Sequence, residues 1–180
     1  MLVDFDFIER LEGSSLVGYV PDHNNSNSGV TIACGFDIGA RKRRTIKKMF
    51  NPELAAKLVP YCGVHGLSAK LMTSFSPLLI TQDEASCINA IVQKQALDKL
   101  LKRWKSATSI KFESLSVEQR TVVASVSFQY GSLMLKTPNF WRQITTGDWL
   151  GALANLRDFG DRYDTRRNTE ADLLENYLKK

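Results

Sequence analysis

The sequence predicts an α+β protein with a small N-terminal β lobe followed by a larger C-terminal helical lobe. Three observations lead there. The β-branched and aromatic content typical of strands is concentrated in two short flanks, LVGYV at residues 16–20 and VTIACGFDI at residues 30–38. Between them lies PDHNNSNSG, the densest turn signal in the chain, with one proline, one glycine and six Asp, Asn or Ser residues. From Arg44 onward the start and stop signals of helices dominate. No repeat and no low-complexity linker interrupts this order. The 180 residues therefore read as one domain, with a β lobe at about residues 14–40 and a helical lobe at about 44–180.

Each element follows from local chemistry. In DFDFIERLEG, Phe5, Ile8 and Leu11 recur at helical spacing and Gly13 stops the helix. Asn51-Pro52 opens a helix, and Ser68 is the expected cap of a short one. Thr81 with Glu84 makes a capping box for a long helix reaching about Trp104, with Ala85, Ile88, Ile91 and Val92 on one face. Ser116 with Gln119 makes a second box, opening TVVASVSF, a run closed by Gly131 and expected to be a central buried helix. Three more helices follow in NFWRQITTG, DWLGALANLRDFG and TRRNTEADLLENYL, separated by Gly147 and Gly160.

Composition narrows the function classes. The 24 basic and 19 acidic residues give a net charge of +5, which favours anionic partners without naming one. Hydrophobic residues at 43% are ordinary for a globular protein. Cys34, Cys62 and Cys87 are odd in number and form no CxxC pair, so a disulfide framework is not expected and synthesis in a reducing compartment is. His23 and His65 are too few for a Cys/His metal cluster. The N-terminus carries acids in its first six residues instead of an apolar run, so a Sec signal peptide is not expected, nor is a membrane span. Work outside the producing cell would then require release, secretion or injection by other means.

Glu12 is predicted at the C-terminal end of the first helix, where the macrodipole places partial negative charge. That field disfavours the carboxylate, and a protonated acid is what donation to a leaving glycosidic oxygen needs. The plainer alternative is a solvated acid beside a helix stop. In a regular strand, residues 31, 33, 35 and 37 share a face. Thr31 and Asp37 then flank Ala33 and Gly35, a floor stripped of bulk that suits a substrate or an ordered water. The alternative there is a bulge at Gly35, with Asp37 capping the next turn or helix. The run ARKRRTIKK places six cations within Arg41–Lys48. It reads as a phosphate-binding patch or as a solvated face drawn to anionic polymers, and the absence of interleaved aromatics argues against single-stranded nucleic acid. Cys34 lacks any neighbour that would activate a thiol, so it reads as core.

With Glu12-Gly13, then Thr31, then Gly35-Phe36-Asp37-Ile38-Gly39 in that order, the chain resembles the phage-type lysozymes, in particular their pesticin branch of muramidases. Downstream, LSVEQRTVVASVSFQYG, ITTGDWLGALANL and TRRNTEADLL resemble the later helices of these enzymes. Gln129-Tyr130 departs from the aromatic-Asn pair usual there. The resemblance implies a lysozyme-like fold with a cleft between the lobes, and hydrolysis of the β-1,4 bond between N-acetylmuramic acid and N-acetylglucosamine in peptidoglycan. It implies Glu12 as general acid, Asp37 as base or electrostatic partner, Thr31 holding the attacking water, and Arg166 or Arg167 pairing with Glu12. Asp22, within the turn-rich loop, is the alternative second carboxylate, since common phage lysozymes carry theirs ahead of the threonine. Inversion of the anomeric centre is expected, with carboxyl groups about 6.5–9.5 Å apart. No metal or cofactor is implied. The expected partner is the peptidoglycan glycan strand, met by a monomer that binds no nucleic acid and does not insert into membrane. A toxin or effector of this kind would also have an acidic cognate immunity protein, whereas a phage endolysin would not. The protein would be made in the cytoplasm and act in the periplasm or wall. A non-catalytic glycan- or partner-binding domain and a basic nucleic-acid binder are the competing classes.

Overall fold

The structure is a computed structural model, and it describes residues 2–21 and 27–179. It divides into two compact units, Glu12–Val92 and the combination of Met1–Leu11 with Gln93–Lys180.

The Glu12–Val92 unit holds an antiparallel sheet of three strands in sequence order, β1 (Ser15–Tyr19), β2 (Thr31–Ala33) and β3 (Phe36–Asp37). The stretch expected as one strand through residue 38 is instead a tight hairpin. Ala33 and Gly35 both adopt left-handed backbone, with φ of 52° and 92°, and that reverses the chain. The Cys34 amide donates to Asn89 Oδ1 at 3.0 Å and anchors the turn. The outer edge of β1 is covered by the segment around Leu79: Gly18 N–H donates to the Leu78 carbonyl at 2.8 Å and Ile80 N–H to that of Leu16 at 3.0 Å. An edge closed in this way is not a template for strand addition.

The helices α2 (Arg43–Met49), α3 (Pro52–Leu58) and α4 (Gly66–Phe75) belong to the same unit as the sheet, although the sequence divided the chain near residue 40. Asn51 caps α3, its side chain accepting from Leu54 N–H at 2.9 Å. Ser68 does not cap α4, because that helix begins two residues earlier, after His65, with no side-chain cap bond. The core of the unit packs Val30, Ile32, Phe36 and Ile38 from the sheet region against Ile46, Leu54, Leu58 and Ile88.

The long helix α5 (Gln82–Ala107) opens with the expected box: Thr81 N–H donates to Glu84 Oε2 at 2.8 Å, and Glu84 N–H to Thr81 Oγ1 at 3.2 Å. In the other unit, α1 (Phe5–Glu12) contributes Phe7 and Ile8 to the core, and Asp4 Oδ1 caps it by accepting from Phe7 N–H at 3.0 Å. The helix α6 (Val117–Tyr130) carries the second capping box and buries Val122, Val123 and Val126 completely. Around it stand α8 (Pro138–Thr146), α9 (Trp149–Arg157) and α10 (Asp164–Leu178), with a short α7 (Leu133–Lys136) that the sequence did not signal. Trp104 meets Phe112 and Trp141 edge-on, at centroid distances of 5.2 and 5.9 Å. No helix among the described residues is long and apolar enough to cross a membrane.

Candidate functional site

The three residues singled out as catalytic fall within one unit, Glu12–Val92. Glu12 ends α1 and its Oε1 atom is buried. Gly13, at φ 69°, turns the chain out of the helix into β1. Thr31 opens β2, is 3% exposed, and donates its hydroxyl to the Gly29 carbonyl at 3.3 Å. Thr31 and Asp37 are direct partners across the β2–β3 hairpin. They therefore share a face as cross-strand neighbours and not as alternate residues of one strand, and such pairs hold their Cβ atoms about 4.5–5.5 Å apart.

The backbone fixes the Asp37 carboxylate. Its Oδ1 accepts from Ala40 N–H at 3.1 Å, and its Oδ2 accepts a weaker bond from Gly29 N–H at 3.5 Å. The first contact is the cap considered as the plainer alternative, so Asp37 orders the turn after it whatever else it does. The site also needs glycine at two places. A Cβ on Gly29 would overlap the Gly39 backbone and stand 2.6 Å from Asp37 Oδ1, and one on Gly39 would stand 2.6 Å from Gly29 Cα. Neither glycine is in left-handed backbone, so the requirement is for space.

Tyr19 was not signalled by the sequence, where a tyrosine in a strand reads simply as β propensity. On the other side of the sheet it pairs with Thr31, as Asp37 does from β3. Burial pushes the Tyr19 hydroxyl up, and the neighbouring Cys34 and Glu12 add to the rise. One row of the sheet thus carries Tyr19, Thr31 and Asp37 side by side. Asp22, the alternative carboxylate, lies outside the described residues.

The late arginines belong to the helical unit. Arg167 is 1% exposed, with its Nε on Asp161 Oδ2 at 3.1 Å, its Nη1 on Glu170 and its Nη2 on the Gln129 side-chain oxygen. It also lies over Phe159, 4.8 Å from the ring centroid. Those three nitrogens commit Arg167 to its own unit. Arg166 donates from Nε to Glu170 Oε1 at 3.1 Å and from Nη2 to the Ser125 carbonyl at 3.0 Å. Burial pushes the Glu170 carboxyl up, while Arg167, Ser125 and Arg166 oppose it. Burial also raises Asp161, but Tyr130, the Tyr163 amide and Arg167 outweigh it and hold that carboxyl below its ordinary value. The departure at Gln129-Tyr130 is thereby accounted for: Gln129 accepts from Arg167, and the Tyr130 hydroxyl donates to Asp161 at 2.5 Å.

A mainly helical chain with one small three-stranded antiparallel sheet is the α+β architecture of the lysozyme-like class. Residues 2–150 match the family model for pesticin, described as a bacterial toxin homologue of phage lysozyme, C-terminal part, and the chain belongs to that family. Membership places it among lysozyme-like muramidase homologues. The matched span includes Glu12, Thr31 and Asp37 and ends before Arg166 and Arg167. No curated protein matches the chain.

Proposed function

We propose that this chain is an N-acetylmuramidase that hydrolyses the β-1,4 bond between N-acetylmuramic acid and N-acetylglucosamine in peptidoglycan. The observation that carries the reading is the row of side chains at the sheet, where Thr31 stands between Tyr19 and Asp37, with Glu12 at the end of α1 in the same unit. Glu12 is the general acid, protonating the departing glycosidic oxygen as the bond breaks. Asp37, held by two backbone amides, is the base or electrostatic partner. Thr31 donates its hydroxyl hydrogen bond to the Gly29 carbonyl, which leaves its oxygen as an acceptor for a hydrogen bond from the attacking water. A water delivered on the face opposite the leaving group inverts the anomeric centre. The substrate is the glycan strand, attacked by a monomer at the wall after release, secretion or injection, with lysis as the outcome.

The test is digestion of purified peptidoglycan by wild type, Glu12→Gln and Asp37→Asn, with products read by mass spectrometry. Wild type is expected to release fragments with new reducing muramic-acid ends. Folded Glu12→Gln is expected to release none, and loss in Asp37→Asn selects Asp37 over Asp22. No release by folded wild type across a range of pH would turn the reading to a non-catalytic lysozyme-like domain.

A further inference from the structure

The basic run forms α2, and that helix is assembled against its own electrostatics. Lys42 holds the N-cap position without a side-chain cap bond, and the first turn contains no acid. Arg43 and Arg44 sit instead where the macrodipole is positive and disfavours cations. Arg43 with Lys47, and Arg44 with Lys48, are like-charge pairs at i,i+4 spacing, which destabilise a helix. No acid occurs from Ile38 to Pro52. Among the described residues none of the cations from Arg41 to Lys48 enters an ion pair. Lys42, Arg43, Arg44, Lys47 and Lys48 are all exposed, while Ile46 is buried in the core and Met49 packs against it. The four cations within the helix fall inside an arc of about 140°, which makes them one face.

Only Lys47 and Lys48, in the last turn, suit the dipole of this helix; its uncapped first turn and the repulsion among its cations oppose it, and a polyanion lying along the face would offset that repulsion. We propose that α2 is an exosite that holds the carboxylate-rich peptidoglycan sacculus beside the candidate carboxylates, a proposal that rests on the muramidase reading. Charge complementarity selects the occupant's sign, and the guanidinium forks of Arg43 and Arg44 suit carboxylates. Placement selects the polymer. Arg43 follows Asp37 by six positions, a connection that spans at most about 22 Å. That connection is folded back onto its start: Ala40 N–H binds Asp37, and the Arg41 guanidinium lies over Phe36, 5.1 Å from the ring centroid. A wall fragment held on α2 is thereby kept next to the residues proposed to cut it.

The test uses the full chain carrying Glu12→Gln, so that sacculi are bound and not consumed. Purified sacculi free of other wall polymers are pelleted with this protein across a salt series. Replacement of Arg43, Arg44, Lys47 and Lys48 by Gln is expected to weaken binding about tenfold or more at low salt and to flatten its salt dependence. The control makes the same change in charge at the exposed Lys94, Lys99, Lys102 and Lys105 of α5 and is expected to lose far less. Sacculi whose carboxylates have been amidated should bind the unaltered α2 face no better than the α2 variant binds native sacculi. Equal losses in the two variants would overturn the exosite in favour of net charge alone. Undiminished binding to amidated sacculi would overturn the carboxylate assignment. Loss of DNA binding with sacculus binding intact would make α2 a nucleic-acid face. Circular dichroism of each variant confirms that α2 has not simply unfolded. The readout is binding, so its failure is separable from a failure to hydrolyse.

Discussion

The two units treat their charged side chains in opposite ways. In the helical unit Arg166, Arg167, Glu170 and Asp161 are drawn into one network in which Glu170 is wholly buried and Arg167 nearly so. In the sheet unit the candidate carboxylate Asp37 is met by backbone amides, while the cations of α2 stand in solvent. A buried network is rigid and expensive to break, because removing one member leaves another charge desolvated. A carboxylate held by main-chain donors on a hairpin is fixed in place while remaining available for chemistry. Loss of stability and loss of activity should therefore separate between the two units.

The largest expected effect is on activity in the sheet unit. Glu12→Gln should lower hydrolysis of peptidoglycan by roughly 10²–10⁴-fold, the range for loss of a general acid. Its urea midpoint should stay near that of wild type, and a large fall there would erase the contrast between the units. The complementary change is Glu170→Ala, which removes the anion shared by two arginines and should destabilise the protein by about 3–5 kcal/mol in denaturant titration. A change below about 1 kcal/mol would mean that the network adds little to stability. Gly29→Ala sharpens the comparison from within the sheet unit. Its Cβ has nowhere to go, so overpacking of about 1–3 kcal/mol should accompany a loss of activity larger than the loss of stability explains.

The helical unit should also carry a pH dependence of stability. Tyr130 is pushed up to about 12, by burial first and then by its hydrogen bond to Asp161. A group raised on folding stabilises fully below its unfolded value near 10 and loses that contribution as pH climbs to about 12. Asp161 is lowered on folding, so its contribution is present above the ordinary carboxylate value and is lost as pH falls through its folded value. Thermal melts should therefore weaken at both extremes, and Tyr130→Phe should diminish both branches, because it removes the raised hydroxyl and also the hydrogen bond that most lowers Asp161. The smallest effect is expected at Asn51→Ala, which removes the cap of α3 and should cost about 1 kcal/mol without touching activity per folded molecule.

How much the chain reveals by itself depends on the range of the interaction involved. Both capping boxes were legible, because a Ser or Thr and a Glu or Gln three residues apart satisfy each other without tertiary help. The α+β class was legible from the strand-like flanks of the turn-rich loop and the helix start and stop signals that follow it. The hairpin at residues 33–35 was not, because Ala33 takes a left-handed conformation that only its surroundings impose, and Gly35 alone reads as a bulge. The Ser68 cap failed because α4 starts at Gly66 without any side-chain cap for the sequence to display. Of the candidate site, Glu12, Thr31 and Asp37 could be named from their residue types and order. Tyr19 and the Gly29–Gly39 contact could not, because strand register and interpenetrating backbones are decided by partners far along the chain. The sequence reading had Arg166 or Arg167 pairing with Glu12 and did not single out Glu170, whose burial beside both arginines depends on tertiary packing.

The two amides that grip Asp37 also make it observable. Gly29 and Ala40 each point a main-chain N–H at one of its oxygens, so the amide resonances of those two residues should move together when that carboxylate meets a ligand. A nitrogen–proton correlation spectrum recorded with and without wall glycan fragments would then report the engagement of Asp37 from its neighbours. It would do so with no side chain altered.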